Sequence, residues 1–132
     1  MTKKTITING DHFSDLAGFY EEMDKLFMKN VDWKLGYSLD ALNDILYGGF
    51  GVYEPDEQVI VLWNNVAKSK KDLGFEETRK NYQMKIDVGY PYNVNLFQEK
   101  MVEIENGTGP TLFDIIVEIF SEHKNIELRL ED

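Results

Sequence analysis

The chain has 132 residues, of which 42% are hydrophobic, with 24 acidic and 14 basic side chains, a net charge of −10 and no cysteine. A chain of that length and composition supports one packed core rather than two ordinary domains, and is too apolar to remain disordered. The charge argues against direct binding of nucleic acid or an anionic membrane, both of which need cationic surface; the lack of cysteine excludes disulfide frameworks, thiolate metal sites and cysteine nucleophiles.

Met1 to Thr5 is followed by no apolar run of signal-peptide length. No stretch approaches the roughly 18 to 20 apolar residues of a spanning helix, so a cytoplasmic protein is expected. Thr5 to Ile8 alternates polar and β-branched residues and predicts a short strand, with Asn9-Gly10-Asp11 turning the chain after it. Ser14 is the predicted N-cap of a first helix over roughly 14–28, with Asp15 in its first turn and Leu16, Phe19, Tyr20, Met23, Leu26 and Phe27 as its apolar stripe. A loop over 29–37 carries Trp33 and Gly36. Ser38 is predicted to cap a second helix, with Leu39, Leu42, Ile45 and Leu46 on one face and Asp40, Asn43, Asp44 and Tyr47 on the other. Gly48-Gly49-Phe50-Gly51 ends it, glycine tolerating the left-handed conformation past a helix C-terminus.

The continuous apolar run Val59 to Trp63 predicts a strand buried on both faces of a parallel sheet. A short lysine-rich helix over 64–73, stopped by Gly74, is expected next. Two further helices follow over 76–85 and 93–105, split by Gly89-Tyr90-Pro91. Gly107-Thr108-Gly109-Pro110 is loop punctuation, Thr111 caps a last helix rich in Leu112, Phe113, Ile116, Val117, Ile119 and Phe120, and Ile126, Leu128 and Leu130 alternate with charges in a terminal strand. Helical crossovers between strands imply an α/β fold with a parallel sheet.

Asp40 and Asp44 stand four apart, on one helix face about a turn from each other. On spacing alone an ordinary solvated face explains them, and the helix dipole alone explains Asp40. They could also hold Mg²⁺, but nothing else in the sequence converges with them. His12 and His123 are far apart and belong to no motif, and the glycine run at 48–51 is not followed by the Lys-Ser/Thr of a phosphate loop. No catalytic residue, metal site or cofactor is assigned. Asn106-Gly107-Thr108 matches a glycosylation acceptor but lacks the secretory context that would give it meaning.

Several segments carry a family likeness: Ile8-Asn9-Gly10, Ser14-Asp15-Leu16, the run Gly36-Tyr37-Ser38-Leu39-Asp40-Ala41-Leu42-Asn43-Asp44, Leu62-Trp63-Asn64, Ser69-Lys70 and Ile126-Glu127-Leu128-Arg129-Leu130. Together they resemble the barstar family of ribonuclease inhibitors. The resemblance covers roughly 5–73 and 111–130. It implies a three-stranded parallel sheet flanked by helices in a single domain spanning 1–132, with about 75–110 as an inserted, mainly helical segment. It also implies that the second helix and the loop before it enter the partner's active-site cleft. Asp40 and Asp44 match the family's key aspartates. An ungapped C-terminal alignment adds Glu118 and Glu122, with Ile115 as the neighbouring apolar contact; a gap near Phe120 keeps Glu122 and loses Glu118. Asn43 stands where the family has a tryptophan, and Lys34, beside Trp33, where it has a tyrosine. With Gly36 and Tyr47 these make the expected partner-binding set.

The partner so implied is a basic ribonuclease or related toxin, met by a protein that is monomeric when free and serves toxin immunity rather than catalysis. A carboxylate in such an enzyme's cationic cleft accepts the charge-assisted hydrogen bonds that a phosphate would accept, and the net negative charge speeds encounter. The alternative is a binding module of the same fold whose partner is not a ribonuclease. The segment carrying Tyr90, Tyr92 and Phe97 keeps that alternative open.

Overall fold

The computed structural model describes residues 3–28, 38–48 and 52–132. Three strands, β1 (Lys4–Asn9), β2 (Val59–Asn64) and β3 (Ile126–Leu130), form a parallel sheet in the order β1-β2-β3. Helices α1 (Leu16–Phe27) and α2 (Leu39–Leu46) cross from β1 to β2. Helices α3 (Val66–Asp72), α4 (Phe75–Val88), α5 (Val94–Glu105) and α6 (Leu112–Ser121) cross from β2 to β3. The expected three-stranded parallel α/β fold is therefore the observed one.

One face of the sheet is the core face. Ile6, Ile8, Val59, Val61, Trp63 and Ile126 point into it and are buried. Trp63, fully buried, stacks on Phe19 of α1 at 5.6 Å between ring centroids and meets Phe113 of α6 at 5.2 Å. Its indole Nε1 donates to Ser69 Oγ at 3.0 Å, so the one polar atom of the ring is satisfied where it is buried. The other face corrects the expectation for β2. The register sets Ile60 between Thr5 and Glu127, and Leu62 between Thr7 and Arg129. These flanking residues are exposed, and Ile60 and Leu62 are only half-buried. An apolar run thus does not require helices on both faces; here the outer one is wrapped in threonine and charged side chains.

Most local signals hold, with small shifts. Ser38 Oγ accepts from Ala41 N at 3.0 Å and caps α2 as expected. Past the end of α2, Gly48 takes a φ of +92°, a conformation open to glycine without a Cβ penalty. Thr111 caps α6 in a reciprocal box with Asp114. The α1 cap moves by one residue: Asp15, not Ser14, accepts from Gly18 N, at 2.7 Å. The next free amide, Leu16 N, donates to Glu77 Oε2 of α4 at 2.7 Å. A tertiary partner therefore completes a helix start that the local sequence leaves open.

Glu77 is part of the root of an antiparallel hairpin made by α4 and α5. Thr78, which is buried, donates from Oγ1 to Gly74 O at 2.7 Å and accepts from Leu112 N at 2.8 Å, which stitches α4 to the start of α6. Away from this root the two helices pack on each other around a small cluster of Tyr82, Met101 and Ile104, with Ile86 and Phe97 against it.

Candidate functional site

Helix α2 buries Leu42, Ile45 and Leu46 in the main core. That orientation turns Asp40, Asp44 and Tyr47 outward, Tyr47 with 60% of its surface exposed, and leaves Asn43 half-buried at the edge. Helix α6 lies beside it. Its inward face carries Leu112, Phe113, Ile116 and Phe120, while Glu118 and Glu122 are exposed and Ile115 is half-buried. Two contacting helices thus present Asp40, Asp44, Glu118 and Glu122 to solvent. Trp33, Lys34 and Gly36 lie outside the described residues.

The structure separates the two ends of α2. At its N-terminal end, Ser38, Leu39 and Asp40 form one wall of a cleft of about 670 Å³ whose far wall is the α4–α5 hairpin. Ile115 of α6 also lines it, and Lys80, Lys85 and Lys100 come from the hairpin side. Lys85 Nζ lies over the Phe97 ring at 4.7 Å from its centroid and near Tyr92 at 5.6 Å. Burial lowers the pKa of Lys85, the Lys100 charge lowers it further, and the Asp40 carboxylate pushes the other way. Tyr20, buried under the same cleft, is raised well above the ordinary phenol value, first by burial and then by Asp40. Asp40 therefore sits in the field of hairpin lysines. Asp44, a turn further on, does not line the cleft.

At the C-terminal end, α2 meets His123, which directly follows the α6 cap Glu122. The His123 ring Nε2 donates to Asn43 Oδ1 at 2.8 Å, and the ring lies edge-on to Tyr47 with centroids 4.6 Å apart. Burial lowers the pKa of His123 and Glu122 opposes the shift. No sequence pattern signals this contact, because its partners are 80 positions apart. The cleft lysines Lys80, Lys85 and Lys100 likewise belong to no sequence pattern and meet Asp40 only because the hairpin lies across the cleft from α2. His12, by contrast, is exposed and pairs with the buried Glu22 at 3.0 Å, a structural contact beside β1.

Among the described residues no group of three or more His, Asp or Glu side chains could hold a metal ion, and no helix is long and apolar enough to cross a membrane. Residues 3–84 match the barstar (barnase inhibitor) family. The chain belongs to that family. Membership of the barstar family implies a non-enzymatic ribonuclease inhibitor. The match spans β1 to β2 and runs through α3 into α4, so it includes Asp40, Asn43, Asp44 and Tyr47, while Ile115, Glu118 and Glu122 lie beyond it. A search of curated proteins finds no match to the chain.

Proposed function

We propose that this barstar-family protein inhibits a basic ribonuclease by placing α2, with its exposed Asp44, in the enzyme's phosphate-binding cleft. The observation that carries this reading is the orientation of α2. Its apolar side is locked into the main core, so Asp40, Asp44 and Tyr47 stand outward on a helix that cannot roll. A rigid carboxylate loses little conformational freedom on binding, and it offers arginine and lysine the acceptors they use for phosphate. Asp44 is the principal anion, because Asp40 shares its cleft with the hairpin lysines. Exposed Glu118 and Glu122 on the neighbouring helix extend the acidic surface. Trp33, Lys34 and Gly36, which precede α2 in the sequence, complete the binding set, with Ile115 lining the cleft.

The same proposal takes residues 1–132 as one domain, monomeric when free and cytoplasmic, in which about 75–110 is an inserted helical segment. The small separate cluster of Tyr82, Met101 and Ile104 supports the insertion, since the main core is contiguous without it. Immobilised protein should retain an RNA-cleaving enzyme from the source organism's lysate or culture medium and silence it. Retention of a protein with no such activity would favour the other reading, a binding module with a different target.

A further inference from the structure

His123 is the one buried ionisable ring among the described histidines, only 5% exposed, and the reading of α2 as the inhibitory surface leaves it without a role. Its backbone is fixed on both sides: its N–H donates to Phe120 O at 3.2 Å, and its carbonyl accepts from Ile126 N at 3.0 Å. The residue is therefore clamped between the end of α6 and the start of β3. From that clamp the ring reaches α2 twice, through the 2.8 Å bond to Asn43 Oδ1 and the edge-on contact with Tyr47. Asn43 and Tyr47 flank Asp44 on the outward side of the helix.

We infer that His123 is a positioning residue for the binding face of α2, holding the Asn43 amide and the Tyr47 ring in the orientation the partner meets. The inference rests on the proposed reading of α2 as the inhibitory surface. Tyr47 is mostly exposed and would otherwise sample several rotamers, each of which costs entropy to fix on binding. An aromatic neighbour at 4.6 Å removes part of that cost in advance. Asn43 is held through its carbonyl oxygen, so the bond to His123 does not use the donors of its NH₂ group.

The arrangement has a direction in pH. The bond to a carbonyl oxygen requires the proton on Nε2, so the neutral ring keeps its lone pair on Nδ1. Acid adds a second proton there and places a cation in a ring buried between two helices. The titratable and charged groups on the elements packed around it are Asp40 and Asp44 on α2 with Tyr47 at its C-cap, Asp114 and Glu118 on α6 with Glu122 at its C-cap, Lys124 next to it, and Glu127 and Arg129 on β3. The Glu122 carboxylate favours that cation and burial opposes it, with burial the larger influence. A positive ring under Asn43 and Tyr47 also repels a basic partner. Inhibition should therefore weaken as pH falls below 6.5, the ordinary histidine value, by more than the enzyme's own titration accounts for.

The test uses the RNA-cleaving enzyme retained by the wild-type protein, titrated with wild type, His123→Phe, His123→Gln and Asp44→Lys. The inference predicts that His123→Phe inhibits about three- to tenfold less well at pH 7.5, the loss expected for one hydrogen bond. His123→Gln, which restores a donor, should recover part of that loss. The wild type should lose more affinity than His123→Phe between pH 7.5 and 5.5, and in the free wild-type protein the Asn43 side-chain NMR signals should titrate together with the His123 ring. Equal inhibition and equal pH profiles for wild type and a folded His123→Phe would overturn the positioning role. If that variant does not fold, Asn43 signals that ignore the His123 titration would overturn it instead. Asp44→Lys separates the two levels: full inhibition by this variant, or no enzyme retained by the wild type, removes the reading of α2 and the role of His123 with it. Loss of inhibition in Asp44→Lys alone removes only the role of His123.

Discussion

The core around Trp63 and the small cluster in the α4–α5 hairpin are built on different scales. Trp63 is enclosed by side chains from α1 and α6 and from the sheet, so most of the protein's elements depend on it. The hairpin cluster has three buried residues and is joined to the rest through Glu77, Thr78 and the Lys85 side of the cleft. The contrast shows where rigidity is invested. Helix α2, which carries the proposed binding carboxylates, is anchored in the large core; the hairpin facing it stands on a small one. A segment with few buried apolar contacts opens locally at lower free energy than the core it is attached to, so the hairpin is expected to open before the Trp63 core does.

Substitutions at the two cores test that contrast. Trp63→Ala should cost about 3–5 kcal/mol of global stability, the range for deleting a large buried aromatic, as measured by urea denaturation. Tyr82→Ala should cost about 2 kcal/mol, near the low end for large-to-small core changes, and the loss should appear first as faster amide hydrogen exchange in α4 and α5. An equal and global effect from Tyr82→Ala would merge the two cores into one cooperative unit and break the comparison. At the root, Thr78→Val removes the acceptor for the buried Leu112 N–H and should cost about 1–2 kcal/mol. Hydrogen exchange at Leu112 would show whether the hairpin is tied down there.

The smallest expected effect concerns acid. The His123 pKa is depressed in the folded state, so between that lowered value and 6.5 the unfolded chain binds more protons than the folded one. Stability then rises with pH across that window, and the contribution of His123 is lost as pH falls through its folded pKa. Thermal unfolding of wild type and His123→Gln at pH 5 and 7 isolates the effect: the wild type should lose more melting temperature on acidification than the variant does.

Much of this architecture was legible in the residues. β-branched and alternating runs located the strands, and Ser38, Thr111 and Gly48 marked helix ends because capping is a local matter of one side chain and the next turn. The acidic side of α2 was legible for the same reason: a 3.6-residue period assigns faces without any tertiary knowledge. What escaped was non-local. At the start of α1, where Asp15 rather than Ser14 is the cap, the Leu16 N–H is met by Glu77, far along the chain. The outer side of β2 was misread because its exposure is set by threonines and charges on β1 and β3, in a register that no single segment encodes. The Asn43–His123 pair and the lysine wall opposite Asp40 arise only when α6 and the hairpin pack beside α2.

The account turns on α2 as the surface that silences a ribonuclease. The most direct measurement is RNA cleavage by the enzyme that the wild-type protein retains from lysate or culture medium, titrated with wild type and with Asp44→Lys. The account predicts complete silencing by the wild type at equimolar concentration and none by a variant that keeps the wild-type melting temperature. Equal silencing by the two proteins, or a retained partner with no RNA-cleaving activity, would contradict it.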